Sequence, residues 1–351
     1  MSAPTPPGTT SELSESELAA VARTVRAVGA DVSGHLRADL IAGGRSNLTY
    51  LITDGRSRWV LRTPPRAGRT PSAHDVAREH RVTAALASTD VPVARAVALC
   101  EDESLIGGPF AVAEFVEGRS VQTRAEFDAL DDSTAEFLVQ ELVETLAALH
   151  RVDHVAVGLE RFGRPDSYAE RQLKRWSGQW ELVAPADLRG LGLELSERLK
   201  ERVPPQRATG IVHGDYRIDN TILALGPTKP SVAAVVDWEL STIGDPVADV
   251  AMMCAYRHSA FDLIVGESSA WTSNRLPLAA DLADAYEKAG GVQLADWDFH
   301  LALAYFKIGV IAAGIDHRKR AGAAAGPGFD TAGESVWLYM QLGMGSLTGR
   351  N

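Results

Sequence analysis

The chain has 351 residues, enough for about two domains or one two-part unit with a large core, and its 45% hydrophobic and 23% charged residues are ordinary for a soluble globular protein. Its 35 basic and 46 acidic side chains give a formal charge of −11, which argues against a nucleic-acid binder working through a basic surface. Cys100 and Cys254 form neither a metal-type spacing nor a disulfide framework, so a reducing cytoplasm is the expected compartment.

Residues 1–16 begin MSAPTPPGTT, with no basic start and no apolar run. They read as a disordered tail, not a signal peptide. "SELAAVARTVRAVG" (16–29) has helical spacing with Ser16 as the expected N-cap. "DLIAGGRSNLTYLITDGRSRWVLRTP" (39–64) reads as a three-strand meander with turns at 43–47 and 54–55. "SAHDVAREHRVTAALA" (72–87) predicts a helix opened by Ser72, and "VPVARAVALC" and "PFAVAEFVEG" predict two more strands. After Gly118 helices dominate, among them 134–152 and 165–180, interrupted only by short apolar runs at 210–213, 221–225 and 232–236. "IGVIAAGI" (308–315) is too short an apolar run to span a bilayer, so no membrane partner is expected. The expected organisation is a tail (1–16), an N-terminal lobe (17–117) and a C-terminal lobe (118–351).

The chemistry concentrates in "IVHGDYRIDNTIL" (211–223), where His213, Asp215 and Asn220 have the H-x-D-x-x-x-x-N spacing of a kinase catalytic loop. In that pattern the aspartate accepts the proton of the substrate hydroxyl and the asparagine holds magnesium. Seventeen residues beyond Asn220, the apolar run "AAVVDWE" delivers Asp237 at a strand end, the place of the second metal carboxylate. Phosphoryl transfer needs positioning and charge cancellation more than covalent help, and magnesium wants hard oxygens such as those of Asn220 and Asp237. Asp245-Pro246 reads as a helix start, with Asp249 one turn in bracing the loop and His213 a packed structural histidine.

"VHGDYRIDN" and "VVDWELSTIGDPVADVA" resemble the aminoglycoside phosphotransferase and choline kinase family, over roughly Ile41 to Arg320. "GGRSNLTYLI", "WVLRTPP", "SAHDVAREHRV" and "YAERQLKRW" look closer still to the kinase-like domain fused to some acyl-CoA dehydrogenases. The resemblance implies an α+β, protein-kinase-like two-lobed fold: a small N-terminal antiparallel sheet with a helix, then a large, mainly helical C-terminal lobe. It also implies ATP as co-substrate and Mg²⁺ as cofactor. By position, Gly43, Gly44, Arg45, Ser46 and Asn47 correspond to the phosphate-covering loop, although no G-x-G-x-x-G is present. Arg62 stands where kinases carry the strand lysine and Glu79 where its partnering glutamate sits. Backbone groups of Glu114 and Val116 fall at the adenine-binding hinge, and Arg217 falls near the transferring phosphate. Glu79 shares an apolar helix face with Val76, Val82 and Leu86, which independently demands a cation.

The expected function is therefore ATP- and Mg-dependent transfer of the γ-phosphate to a hydroxyl of a small molecule. Arg171, Lys174 and Arg175 form a basic stripe at i, i+3 and i+4, with Arg318-Lys319-Arg320 further on; if the stripe lines the acceptor cleft, the acceptor is anionic, such as a hydroxyacyl-CoA or hydroxy acid. The alternatives are an aminoglycoside or amino-alcohol kinase and a catalytically weak nucleotide-binding regulator, a reading opposed by the retained Asp215, Asn220 and Asp237. No segment resembles a flavin-binding dehydrogenase domain. A protein kinase is disfavoured because "DWELSTIGDP" passes straight into a helix with no activation segment.

Overall fold

The computed structural model describes residues 12–42, 47–66, 75–226, 229–322 and 328–349, and the chain divides into two units. The first comprises residues 1–117 together with Ala234–Glu239. It opens with α1 (Glu15–Ala27), which Ser14 caps, not Ser16. The reason is the S-x-x-E pattern: Ser14 and Glu17 bond each other's backbone N–H, whereas Ser16 has Ala19 three residues on. The helix therefore starts inside the stretch expected to be tail.

Strands β1 (Arg37–Ala42), β2 (Leu48–Thr53) and β3 (Arg58–Thr63) form the expected meander. Then come α2 (Val76–Leu86), β4 (Ala96–Cys100) and β5 (Phe110–Glu114). The antiparallel sheet has the order β1-β2-β3-β5-β4. Helix α2 is capped by Asp75, whose carboxylate accepts the Arg78 N–H at 2.9 Å; Ser72, the expected cap, lies outside the described residues. Alternation along β3 sends Trp59 and Leu61 into a core shared with Val21 and Val25 of α1, Ile52, Phe110 and Val112. Arg62 lies on the opposite face, with α2. Residues 234–239 join this unit because Val235 bridges Val93 in parallel and donates to the Pro92 carbonyl at 2.8 Å.

The second unit, Gly118–Ala233 and Leu240–Asn351, is mainly helical. Its elements are α3 (Arg124–Asp128), α4 (Asp132–Arg151), α5 (Tyr168–Val183), α6 (Arg189–Lys200), β6 (Gly210–Val212) and β7 (Thr221–Ala224). They continue with β8 (Ser231–Val235), which pairs with β7, β9 (Thr242–Gly244), α7 (Pro246–Ala255), α8 (Phe261–Val265), α9 (Ala279–Lys288), α10 (Trp297–Arg320) and α11 (Ala332–Ser346). The sequence "DWELSTIGDP" does not pass directly into a helix. Ile243 of β9 pairs with Ile211 of β6 first, so the loop after β6 is backed by a strand before α7 begins. The run 308–315 is the middle of the 24-residue α10, a helix long and apolar enough to cross a membrane. In this fold 83% of its apolar window is buried, with α5, α7 and α11 packed against it, which makes it the core helix of the unit.

Candidate active site

In the first unit the Arg62 guanidinium serves two carboxylates. Its Nε stands 3.1 Å from Glu79 Oε2 and its NH2 3.4 Å from Asp237 Oδ1. Asn47 adds a hydrogen bond from Nδ2 to Glu79 Oε1 at 3.0 Å. Glu79, Asp237 and Glu239 each bring a carboxylate oxygen within 4.8 Å of the others. Arg62 is thus shared between two of three clustered acids. Burial first, and then the Asp237 and Glu239 charges, push the Glu79 carboxyl up to about 7 against the pull of Arg62 and Asn47. The buried Arg62 Nε is close to Glu79 but not aimed along a hydrogen bond, and among the described residues the buried Asn47 Oδ1 has no partner either.

Asp237 itself adopts φ +63°, a left-handed conformation that an L-residue holds only when its surroundings impose it. Gly43, Gly44, Arg45 and Ser46 lie outside the described residues. At the end of β5 the Glu114 N–H is spent on the Arg95 carbonyl at 2.9 Å and that of Phe115 on Arg58 at 3.2 Å. Val116 follows beyond the strand with its backbone outside the ladder.

In the second unit the loop carrying His213, Asp215 and Asn220 leaves β6 and is clamped by Asp249 of α7. The Asp249 carboxylate is buried and accepts the backbone N–H of His213 at 2.6 Å and of Gly214 at 2.8 Å. Its Oδ2 also lies 3.3 Å from His150 Nε2, and His150 Nδ1 lies 2.7 Å from the Tyr286 hydroxyl. Burial pushes the Asp249 carboxyl up, but these bonds and the imidazole charges outweigh it, and the group ends below the ordinary carboxylate range. Gly214 has φ +87°, and a Cβ there would meet the Leu240 carbonyl at 2.9 Å, so the H-G-D turn requires glycine. Tyr216 anchors the loop to α4 by donating to the Leu142 carbonyl at 2.7 Å. Asp245 caps α7 by accepting from Val247 at 3.0 Å with Pro246 at the first helical position, and His213 is fully buried.

Asp215 is loaded with donors. Oδ1 accepts from Arg217 NH1 at 2.7 Å and Oδ2 from Asn220 Nδ2 at 3.0 Å, and the same amide reaches the Asp215 carbonyl at 2.7 Å. Burial and the nearby Asp215 charge hold the Tyr256 phenol well above its ordinary pKa. Arg217 is nearly buried. It also pairs with Asp219 at 2.9 Å and stacks over Tyr256 at 4.7 Å and Phe261 at 4.9 Å. The guanidinium is thus the internal cation of the loop, and a phosphate contact would have to replace one of these bonds. Asn220 spends its amide hydrogens on Asp215, which leaves its carboxamide oxygen as a hard acceptor. A carboxamide oxygen of this kind is a hard donor of the sort magnesium prefers.

Beside the loop, and within the second unit, a cleft is lined by Tyr168, Gln172 and Trp176 of α5, Asp249 of α7, and His300 and Lys307 of α10. None of the basic stripe lines it. Lys174 and Arg175 are exposed on the neighbouring face of α5, and Arg171 donates to the Arg164 carbonyl at 2.5 Å. Sequence reasoning missed Lys307, although it is the one lysine or arginine between Trp297 and His317. It missed Tyr256, His150 and Tyr286 altogether, because partners 39 to 136 residues apart leave no local pattern.

A loop carrying an aspartate, an asparagine and an arginine, on a helical unit that follows a five-stranded sheet unit, defines a kinase-like phosphotransferase fold. The family model described as "Phosphotransferase enzyme family" matches residues 37–303, and the chain belongs to that family. Curated relatives include mouse "Acyl-CoA dehydrogenase family member 10", 35% identical over 286 residues, covering 80% of this chain and 26% of the relative. Human "Acyl-CoA dehydrogenase family member 11" is 33% identical over 294 residues, covering 83% of this chain and 37% of the relative. The chain thus spans between a quarter and two fifths of these relatives. Among solved structures, one from Ralstonia eutropha, provisionally assigned as an aminoglycoside phosphotransferase, is 33% identical with a TM-score of 0.80 and covers 94% of this chain and 98% of its own. The aminoglycoside phosphotransferase APH(4)-Ia, solved with AMP-PNP and hygromycin B, shares the fold at 15% identity and a TM-score of 0.60, covering 94% of this chain and 98% of its own.

Proposed function

We propose that the protein transfers the γ-phosphate of ATP to a hydroxyl group of a small molecule, with a hydroxyacyl-CoA or a related hydroxy acid as acceptor. The observation that carries the reading is Asp215, whose carboxylate is oriented by hydrogen bonds from Arg217 and Asn220. As the acceptor oxygen bonds to the γ-phosphorus and the bond to the β-phosphate oxygen breaks, Asp215 takes the hydroxyl proton and ADP leaves. Asn220 and Asp237 are the residues that would hold Mg²⁺, which neutralises phosphate charge when bound. Arg62, positioned by Glu79, would grip phosphate oxygens through its planar fork in place of the usual lysine. Asn47 and the residues 43–46 before it would cover the phosphates, and the backbone of Glu114 and Val116 would take the adenine edge. The exposed Lys174 and Arg175, with Arg171, would meet the distal phosphates of a CoA-sized acceptor. The free thiols of Cys100 and Cys254 suit a cytoplasmic setting.

An aminoglycoside is the weaker reading, because the acceptor-side cleft presents Lys307 to a polycation. A transfer screen with labelled ATP over hydroxyacyl-CoAs, hydroxy acids, amino alcohols and aminoglycosides tests this. Label on the first two classes is expected. Label on aminoglycosides alone would overturn the acceptor assignment, and label on no alcohol would overturn the kinase reading.

A further inference from the structure

Lys307 is the least explained charge in the molecule. It projects from the apolar core helix α10 into the cleft beside the catalytic loop. Among the described residues its hydrogen-bond partner is the Gly214 carbonyl, at a long 3.4 Å, and its ammonium stands 5.7 Å from the Trp176 ring. An ammonium carries three donors, so at least two are left for something else. The Asp215 and Asp249 charges act on it from nearby, but their hydrogen bonds go elsewhere: Asp249 accepts from two backbone N–H groups and lies against His150, and Asp215 accepts from Arg217 and Asn220. Burial pulls the Lys307 pKa down, so the site holds its charge at a cost that a bound oxygen ligand would offset.

The rest of the cleft fits a short carbon chain with oxygen at one end. Its walls include Val212, Ala248, Met252, Leu303 and Ala304, with the Trp176 face on one side. Gln172 gives its carboxamide oxygen to Trp176 Nε1 at 3.1 Å, which keeps its NH₂ as a donor. The cleft is open to solvent on one side, so only the anchored end of a ligand need be enclosed by these residues.

Building on the kinase reading above, we infer that Lys307, with Gln172, anchors an acyl oxygen of the acceptor, and that this selects a hydroxyl placed a few bonds from a carboxylate or thioester carbonyl. Lys307 reaches the carbonyl of Gly214, the residue next to Asp215, so an acceptor that met both Lys307 and Asp215 would carry its acyl oxygen and its hydroxyl on one short chain. A free hydroxy acid and its thioester share this chemistry, and the anchor distinguishes both from amino alcohols.

The test compares wild type, Lys307→Met and Lys307→Arg in the presence of Mg-AMP-PNP. Calorimetry is run with a short 3- or 4-hydroxy acid, its CoA thioester and an amino alcohol of equal length; transfer kinetics with Mg-ATP follow. The Met variant is expected to lose 10-fold or more in affinity for the free acid and several-fold for the thioester, with binding of the amino alcohol unchanged or improved. In turnover the KM for the acid should rise while the KM for ATP holds, and the Arg variant should recover part of the loss. Equal losses for all three acceptors, or none, would overturn the inference. Acid binding that the Met variant abolishes, without transfer to any alcohol, would uphold the anchor and overturn the kinase reading instead.

Discussion

Asp249→Ala removes the carboxylate on which the catalytic loop rests, and the structure sets the size of the effect. Two buried backbone donors, His213 N–H and Gly214 N–H, lose acceptors at 2.6 and 2.8 Å, and His150 loses its partner at 3.3 Å. Each orphaned buried donor costs ~1–3 kcal/mol, and the bonds lost are charge-assisted, so a total near ~3–5 kcal/mol is expected. Asp249→Asn keeps one oxygen but turns an NH₂ toward a backbone N–H, so about half that loss should follow. Urea denaturation with an unchanged m-value measures the loss directly. The kinetic effect should exceed the stability effect under native conditions, because displacing Asp215 by about 1 Å costs roughly 10²-fold in rate. A loss under about 1 kcal/mol for Asp249→Ala, with kcat intact, would show that the loop holds its shape without this clamp.

Two further outcomes concern the rest of the site. Arg62→Ala should weaken ATP binding and leave Glu79 buried without its cation, so Arg62→Ala with Glu79→Ala should cost less stability than the two single changes summed, by more than about 0.5 kcal/mol; simple additivity would separate the pair. His300 is buried 3.7 Å from Asp245 and within reach of the Asp296 charge, and burial holds its pKa down to about 4. Its unfolded form takes up a proton first, so its contribution is full above pH ~6.5 and is lost as pH falls toward 4, by up to about 3 kcal/mol. His300→Gln should flatten that part of the stability profile, and an unchanged slope would contradict the assignment.

What the sequence disclosed followed the range of each signal. The meander over residues 39–64 was legible because period-2 alternation and turn residues act locally, and the Asp245-Pro246 start of α7 for the same reason. Asp215 and Asn220 were legible as a spacing, and the structure brings their side chains together. Helix starts were misplaced where a nearby serine competed with the true cap: Ser16 lacked the reciprocal glutamate that Ser14 has, and Asp75 holds the N-terminus of α2. β9 was missed because a three-residue strand carries too little pattern to register. The cleft was misread for a different reason. The stripe at 171, 174 and 175 is regular on paper, but α5 turns Tyr168, Gln172 and Trp176 to the cleft, and the cation there comes from α10, more than a hundred residues on. Which face of a helix lines a cleft is fixed by its tertiary neighbours and not by its own sequence.

The central claim is that Asp215 handles the acceptor proton while other residues hold the nucleotide. Asp215→Asn, measured for phosphoryl transfer to the best acceptor and for Mg-AMP-PNP affinity in the same preparation, separates the two most directly. The account predicts a fall in kcat of ~10²–10⁴ with nucleotide affinity nearly unchanged; more than about a tenth of the wild-type kcat, or a matching loss of nucleotide affinity, would contradict it.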